Sequence, residues 1–566
     1  MSEDVKRSKV EIIKETSRQL RGTLAEELQT DHEFCSDSEQ LLKPHGIYQQ
    51  DDRDHRKDKN ADGTAKGKQF IFMVRTAIPG GKVTAKQFLD HFELCEKYGN
   101  GTLRVTTRQG FQLHGVIKKN LKAAVRGIND TLLTTLAACG DVKRNVMACP
   151  APIKNSPAHD QMQALADELA EHLKPRTTAY HEIWLTDSDG ERTNVAEFKP
   201  VDEPIYGATY LPRKFKIGLT LPDDNCIDVY THDLGFIAVV NGKTIEGYNV
   251  VVGGGMGRTP SAEKTFVALA QPLAFVRPDQ VIGVAEAIVK VQRDYGNRVD
   301  RKVARLKYLL HERGLEWFRS KVVEYYGQNL PAPRNVDVTD VDDHIGWHEQ
   351  GDGKLFLGIN VECGRIKDEG NLRIKTGLKK ILKTYGMPAR LTALQGVILC
   401  DIDPKNRGEI TQILIDHGIK QDHELTLIRR YSIACPAFPT CGLAVTESER
   451  ILPDVIDRLE VEMARLGISG DRISVHMTGC PNGCARPYTP DIGFVGKTLG
   501  KYTIFLGGNV QGTRLAYIYK DMIPEADIVT AVTPALNYYK ANRLSGETFG
   551  DFCHRKGAAD LQEHGS

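Results

Sequence analysis

The sequence predicts an α+β protein built from two related halves that close around one composite site. Three observations predict this: a self-similarity at a fixed spacing of 286 residues, helix-like and strand-like segments interleaved in both halves, and paired cysteines confined to the second half while basic residues occupy matching positions of the first. Arg104-Val-Thr-Thr-Arg-Gln-Gly-Phe-Gln-Leu113 matches Arg390-Leu-Thr-Ala-Leu-Gln-Gly-Val-Ile-Leu399, and Arg144-Asn-Val-Met-Ala-Cys-Pro-Ala151 matches Arg430-Tyr-Ser-Ile-Ala-Cys-Pro-Ala437. Farther on, Asp233-Leu-Gly-Phe236 and Val252-Gly-Gly-Gly255 echo Asp491-Ile-Gly-Phe494 and Leu506-Gly-Gly-Asn509 at a shorter spacing, as loop deletions in the second half require.

Taken in order, residues 1–65 form an N-terminal extension, and its charged, glycine-containing stretch 51–68 reads as a partner-facing arm. Residues 70–75 and 102–106 alternate as short strands. Pro79-Gly-Gly81 is a turn before a helix over 84–98 capped by Thr84. Helical periodicity covers 162–173, 279–295, 301–313 and 452–466, and strand-like runs cover 215–221, 248–252 and 502–506. Proline- and asparagine-containing residues 327–340 read as the linker between halves. These signals divide the chain at 66–140, 141–330, 340–425 and 426–566.

Composition excludes several classes. Lys plus Arg (75) balance Asp plus Glu (74), so no global charge points to nucleic acid or a membrane surface. The first 29 residues lack a signal-peptide core and no run of ~18 apolar residues occurs, so a cytoplasmic protein is expected. Twelve cysteines in 566 residues are too sparse for a disulfide scaffold. Eight of them (Cys35, Cys95, Cys139, Cys149, Cys226, Cys363, Cys400 and Cys553) are scattered and read as ordinary thiols.

The other four form Cys435-Pro-Ala-Phe-Pro-Thr-Cys441 and Cys480-Pro-Asn-Gly-Cys484. Two short loops that each supply two thiolates suit an iron–sulfur cluster or a zinc ion, and the C-x5-C and C-x3-C spacings are unusual for zinc knuckles. The halves diverge in complementary ways. Arg108, Gln112 and His114 face Leu394, Ile398 and Cys400 across the repeat; Cys149 matches Cys435, Asn155 stands opposite Cys441, and the first half is expected to hold no match for Cys480 or Cys484. One site with metal ligands from one half and cations from the other accounts for this pattern. Lys214 and Lys216 fall on one face of a strand, where two ammonium groups repel unless solvent or an anion separates them, and with Arg75 and Arg144 they suit a small oxyanion. Gly253-Gly-Gly-Met-Gly257 does not fit G-x-G-x-x-G and reads as backbone approaching a flat ligand. With no nucleotide or flavin signature, electrons for a redox reaction must come from another protein.

Joined to C-x5-C, the duplicated halves and Arg213-Lys-Phe-Lys216, the segment Thr478-Gly-Cys-Pro-Asn-Gly-Cys484 closely resembles the sulfite and nitrite reductase hemoproteins over nearly the whole chain, from Leu41 to Cys553. The resemblance implies a duplicated fold of two ferredoxin-like half-domains (66–140 and 340–425) and two siroheme domains (141–330 and 426–566), with siroheme and a 4Fe-4S cluster as cofactors. It implies that Cys435, Cys441, Cys480 and Cys484 hold the cluster, with Cys484 shared with the siroheme iron. Arg75, Arg144, Lys214 and Lys216 are the implied substrate contacts, and Arg104, Arg108, Gln112 and His114 the implied siroheme contacts. The Thr76-Ala77 pair lacks a basic residue that some relatives carry. The implied activity is assimilatory six-electron reduction of sulfite to sulfide, feeding cysteine synthesis, with an NADPH-dependent flavoprotein as donor or ferredoxin in its place. Ferredoxin-dependent nitrite reduction and a non-catalytic metal-binding sensor stand as alternatives.

Overall fold

The structure, a computed structural model, describes residues 7–180, 184–194 and 203–564; the ends of the chain that fall in the N-terminal extension (1–6) and in the last domain (565–566) lie outside them, as do 181–183 and 195–202. The helix Ala85–Tyr98 forms where the cap predicts it. Thr84 Oγ1 accepts from the Gln87 amide at 3.1 Å while the Gln87 side chain accepts from the Thr84 amide at 3.0 Å, so two of the orphan amides of the first turn are satisfied. Phe88, His91, Phe92 and Cys95 recur at helical spacing and are fully buried. This helix covers a sheet in the order Ile47–Asp51, Phe70–Arg75, Phe111–Val116, Leu103–Val105, Arg365–Ile366. The edge strand Ile47–Asp51 builds part of the N-terminal extension into this sheet, with Ile47 paired to Val74.

The last strand belongs to the other half. The corresponding sheet of the second half runs Gly346–Glu349, Leu355–Ile359, Val397–Ile402, Ala389–Leu391, Lys82–Val83, so each half completes its partner's sheet with a two-residue strand. Both exchanged strands follow a one-turn 3-10 helix, Pro79–Gly81 or Glu362–Gly364, that contains left-handed residues. A Cβ on Gly81 would lie 2.4 Å from the Leu391 carbonyl oxygen, and one on Gly364 would lie 2.1 Å from that of Val105, the repeat equivalent of Leu391. Glycine is required there both by φ and by the approach of the exchanged strand. Gln109 and Gln395, also repeat equivalents, take left-handed φ of 52° and 70°. Gln109 bonds both backbone groups of Ala148 (2.8 and 3.0 Å), and Gln395 bonds the Cys363 carbonyl (3.0 Å) and the Ala434 amide (3.0 Å). Buried amides thereby tie each small sheet to the strand leading into the site.

Two further five-stranded sheets share one topology. Lys143–Ala148, Phe215–Thr220 and Leu234–Asn241 are mutually parallel, followed by antiparallel Thr244–Val252 and Gln271–Val276. Ser432–Ala434, Val475–Thr478, Ile492–Thr498, Lys501–Leu506 and Tyr517–Pro524 repeat the arrangement. Leu234 pairs with Ile217, and Ile492 with Val475, so both strands are offset by 258 residues. With that register the loop after Thr220 is the counterpart of the loop after Thr478, Cys226 corresponds to Cys484 and Asp228 to Arg486. The expectation that the first half holds no match for Cys484 is therefore corrected: the deletion that shortens the spacing from 286 to 258 hides the equivalence. One core runs through the first half and the exchanged sheets, and a second, with Val475, Phe494, Ile504 and Leu536, lies under the C-terminal helices.

Candidate active site

Parallel neighbours deliver the cysteines. Ser432–Ala434 ends at Cys435 and Val475–Thr478 ends two residues before Cys480, so both cysteine loops leave the same end of one sheet. The Cys435 amide donates to the Met477 carbonyl at 3.2 Å, the Gly479 amide points at Cys435 Sγ (3.3 Å), and the Asn482 amide nitrogen reaches Cys480 Sγ at 3.5 Å. Arg53, from the N-terminal segment, lies 4.1 Å over the Phe438 ring and donates to the carbonyls of Cys441 (3.3 Å) and Ala444 (2.5 Å), pinning the C-x5-C loop. Cys435 and Cys480 are buried, Cys441 is half-buried and Cys484 is exposed, with its carbonyl accepting from Thr107 Oγ1 at 3.2 Å.

Burial, followed by the proximity of Cys484, pushes the Cys435 thiol far up and the Cys480 thiol up to about 12; Cys441 is raised for the same two reasons. Thiols raised in this way need a strongly cationic core to become thiolates together. Among the described residues the only group of three or more His, Cys, Asp or Glu residues whose ligand atoms all lie within 4.8 Å of one another is elsewhere, so the quartet is spread wider than a single zinc ion with Zn–S bonds of ~2.3 Å gathers its ligands. Donor type and spread fit a multi-iron cluster.

The cations come from the first half. Phe215 and Ile217 point into the core, which turns Lys214 and Lys216 to the opposite face as alternation predicts. Among the described residues neither ammonium has a hydrogen-bond acceptor or a carboxylate partner. Burial, then Arg213, lowers Lys214 to about 7, with Cys484 opposing; burial, then Arg108 and Lys214, lowers Lys216 well below its ordinary value. Arg108 falls to about 9 through burial and then the nearby Arg144. Arg144 Nε donates to the Gly140 carbonyl at 3.0 Å, and Tyr48 lies near its guanidinium. Arg75 Nη1 meets Cys139 Sγ at 3.1 Å, and its Nε lies 3.0 Å from Gln112 once the amide oxygen is placed on that side. Crowded cations with unmet acceptor demand favour an anion between them.

Not every predicted residue reaches this cluster of charge. Arg104 donates to Glu449 through Nε (2.9 Å) and to the Ala434 carbonyl through Nη2 (2.8 Å), so it braces the strand before Cys435. His114 sits behind, its Nε2 3.4 Å from the Gln112 amide, and burial followed by Arg365 holds it well below the usual histidine range. Further side chains, without a motif of their own in the sequence, support the site. Arg305 clamps Asp233 bidentately (2.6 and 3.1 Å), and Asp233 accepts from the Lys216 amide at 2.8 Å. Asp228 and Arg486, equivalent positions at the 258 spacing, form a buried ion pair that joins the halves. Lys307 donates to the carbonyls of Gly255 (3.0 Å) and Gly257 (2.8 Å), so the glycine-rich loop is fastened by a lysine.

A thiol quartet fit for a cluster, opposed by crowded cations across a duplicated fold, defines an oxidoreductase that passes electrons to an anion. The nitrite and sulphite reductase 4Fe-4S domain matches residues 139–330 and 429–564, and the nitrite/sulfite reductase ferredoxin-like half domain matches 65–130 and 348–417. Similar proteins include the sulfite reductase [ferredoxin] of Synechococcus elongatus (42% identical, over 99% of this chain and 91% of the relative). Two others are named sulfite reductase [NADPH] hemoprotein beta-component, from Chromohalobacter salexigens (45%, over 97% and 95%) and Geobacillus kaustophilus (44%, over 97% and 96%). The NirA protein of Mycobacterium tuberculosis shares the fold, with a TM-score of 0.77 at 22% identity over 97% of this chain and 95% of its own. The chain belongs to the nitrite and sulfite reductase family. Among the described residues no helix is long and apolar enough to cross a membrane.

Proposed function

We propose that Arg75, Arg144, Lys214 and Lys216 bind sulfite beside Cys484, and that Cys435, Cys441, Cys480 and Cys484 hold the cluster. The activity of this chain is reduction of sulfite to sulfide, with siroheme and a 4Fe-4S cluster as cofactors and a protein as electron donor. The observation that carries the residue assignment is the pair of ammonium groups, Lys214 and Lys216, left without a carboxylate next to Cys484 and Arg108. Bound siroheme supplies the iron that takes sulfite, and the cluster supplies single electrons.

The side chains do the rest. Each sulfite oxygen must leave as water, so protons have to arrive at oxygen atoms held among cations. Lys214, lowered to about 7, gives up a proton at Nζ and regains one near neutral pH with little free-energy change, which suits repeated general-acid steps. The incoming anion offsets the repulsion among Lys214, Lys216 and Arg108, so binding and lysine protonation reinforce each other. Arg144, fixed by Gly140, and Arg75, fixed by Gln112 and Cys139, present guanidiniums that can contact the anion's oxygens in pairs. Arg305 and Asp233 hold the backbone of Lys216. Arg108 and Arg104 supply positive charge for the siroheme carboxylates, and the uncharged Gln112 and His114 supply polar groups beside them, with Arg104 and His114 set behind the other two.

Lys216→Ala and Arg144→Ala test this assignment: visible spectra stay intact while kcat/KM for sulfite falls at least ~100-fold, as loss of a transition-state charge contact implies. Unchanged turnover, or loss of both cofactors, contradicts it. For the donor, relatives named as NADPH-linked hemoprotein components support a flavoprotein partner, and the Synechococcus relative named for ferredoxin supports the second reading. Sulfide formation with NADPH and a flavoprotein reductase, compared with reduced ferredoxin alone, decides between them.

A further inference from the structure

Cys149, Asp224, Cys226 and His344 are buried, and their ligand atoms lie within 4.8 Å of one another. Three separate elements bring them together. Cys149 follows the strand Lys143–Ala148, Asp224 and Cys226 lie on the loop after Phe215–Thr220, and His344 comes from the segment that joins the halves, in a left-handed conformation (φ 60°). Cys149 Sγ and His344 Nε2 converge on one oxygen, Asp224 Oδ2, at 2.6 and 3.0 Å. His344, 4% exposed, makes no well-formed hydrogen bond through Nε2, so a buried nitrogen is aimed into the group unsatisfied. The other atoms are already oriented. Asp224 Oδ1 accepts from the amides of Cys226 and Asp342, both at 3.2 Å, and His344 Nδ1 faces Asp342 Oδ2 at 3.7 Å.

The position in the repeat is informative. Cys149 is the equivalent of Cys435 at the 286 spacing and Cys226 that of Cys484 at the 258 spacing, whereas Asn155 and Pro222 replace Cys441 and Cys480. The first half therefore keeps two of four cluster-type cysteines, and Asp224 and His344 stand in for the other two. A multi-iron cluster needs wider spacing and four thiolates, whereas one zinc ion takes two sulfurs, one imidazole and one carboxylate in a closed tetrahedron with neighbouring ligands ~3.6 Å apart. The two short contacts need open by only ~0.5–1 Å to reach that geometry.

We propose that Cys149, Asp224, Cys226 and His344 form a structural zinc site that fastens the linker between the halves to the first siroheme domain. With four protein ligands no position is open to substrate, and the carboxylate of Asp342 orients the imidazole as outer-shell partners do. Neighbouring backbone bonds run the same way: Thr339 to the Pro222 carbonyl (2.6 Å) and Asn225 to the Asp340 carbonyl (2.9 Å).

The test uses the purified, cofactor-loaded enzyme after exposure to zinc chloride and desalting. Metal analysis is expected to give one zinc per chain in addition to the cofactor iron, and the zinc X-ray absorption edge to fit two sulfurs at ~2.3 Å and two nitrogen or oxygen ligands at ~2.0–2.1 Å. His344→Ala and Cys226→Ser are each expected to cut bound zinc at least tenfold while the visible spectrum persists. Less than about a tenth of a zinc per chain, a Cys149–Cys226 disulfide found by peptide mapping, an edge fitted by four sulfurs, or full zinc retention in both variants overturns the proposal. Should either variant fail to fold, the zinc content and edge of the unaltered enzyme still decide it.

Discussion

Glu449 is the carboxylate on which the join between the halves depends. It accepts from Arg365 through Nε and Nη2 (2.6 and 3.1 Å) and from Arg104 through Nε (2.9 Å), with all three side chains largely buried. Arg104 comes from the first half, Arg365 from the exchanged strand that completes its sheet, and Glu449 follows the C-x5-C loop. Glu449→Gln keeps the shape and leaves two buried guanidiniums without their counter-charge. Removing one member of a buried ion pair costs about 3–5 kcal/mol, so the unfolding constant of the part that holds the cysteines should rise roughly 200- to 5,000-fold. At an m-value of about 2 kcal/mol/M in urea, the midpoint for bleaching of the visible cofactor absorbance should fall by ~1.5–2.5 M. Acid dependence is a second readout. Burial works against ionisation of Glu449, and Arg365 and Arg104 outweigh it, so its folded pKa is lowered. That stabilisation is present above the unfolded carboxylate value of ~4.3 and is lost as pH falls through the lower folded value; the Gln variant should lack it. The exposed pair Arg450–Asp54 serves as control, where Asp54→Asn should change stability by less than ~1 kcal/mol. A Glu449→Gln midpoint within ~0.25 M of the parent would refute the reasoning.

Lys214, lowered to about 7 in the free protein, should place the alkaline limb of kcat/KM near neutrality, because a proton donor loses activity as pH rises through its pKa; in Lys214→Arg that limb should move to higher pH, read from steady-state profiles measured side by side. Gly364→Ala combines a left-handed φ of 75° with a Cβ placed 2.1 Å from a carbonyl oxygen and should destabilise by more than ~2 kcal/mol, whereas Gly370→Ala, at φ 56° with nothing within 4 Å, should cost ~1 kcal/mol; urea melts of both variants check the contrast.

Local signals made much of this fold legible in the sequence. Thr84 announces the helix Ala85–Tyr98 as its cap, and the segment 452–466 is helical over the predicted span. Elsewhere function bent the local pattern. The periodicity over 301–313 predicts one helix, but the chain forms a 3-10 turn at Arg301–Val303 and restarts at Leu306, because Arg305 takes extended backbone while its guanidinium meets Asp233. The exchanged strands Lys82–Val83 and Arg365–Ile366 are two residues long, too short to carry periodicity, and only a contact between halves creates them. The cysteine quartet and the lysine pair were visible as spacing. Their supports Asp233, Arg305, Glu449 and Asp228 were not, since each acts through a partner tens to hundreds of residues away.

The central claim is that cations of the first half face a cofactor site held by cysteines of the second, and titration of the purified enzyme with sulfite, followed in the visible spectrum, tests it most directly. The account predicts about five cofactor irons per chain, four in the cluster and one in siroheme, in the parent enzyme and in Lys214→Ala and Lys216→Ala alike. It predicts a sulfite-induced spectral shift in all three, with the dissociation constant raised at least ~30-fold in each variant, as loss of a charge contact worth ~2 kcal/mol requires. Parent-like sulfite affinity in both variants, with cofactor content intact, would contradict it.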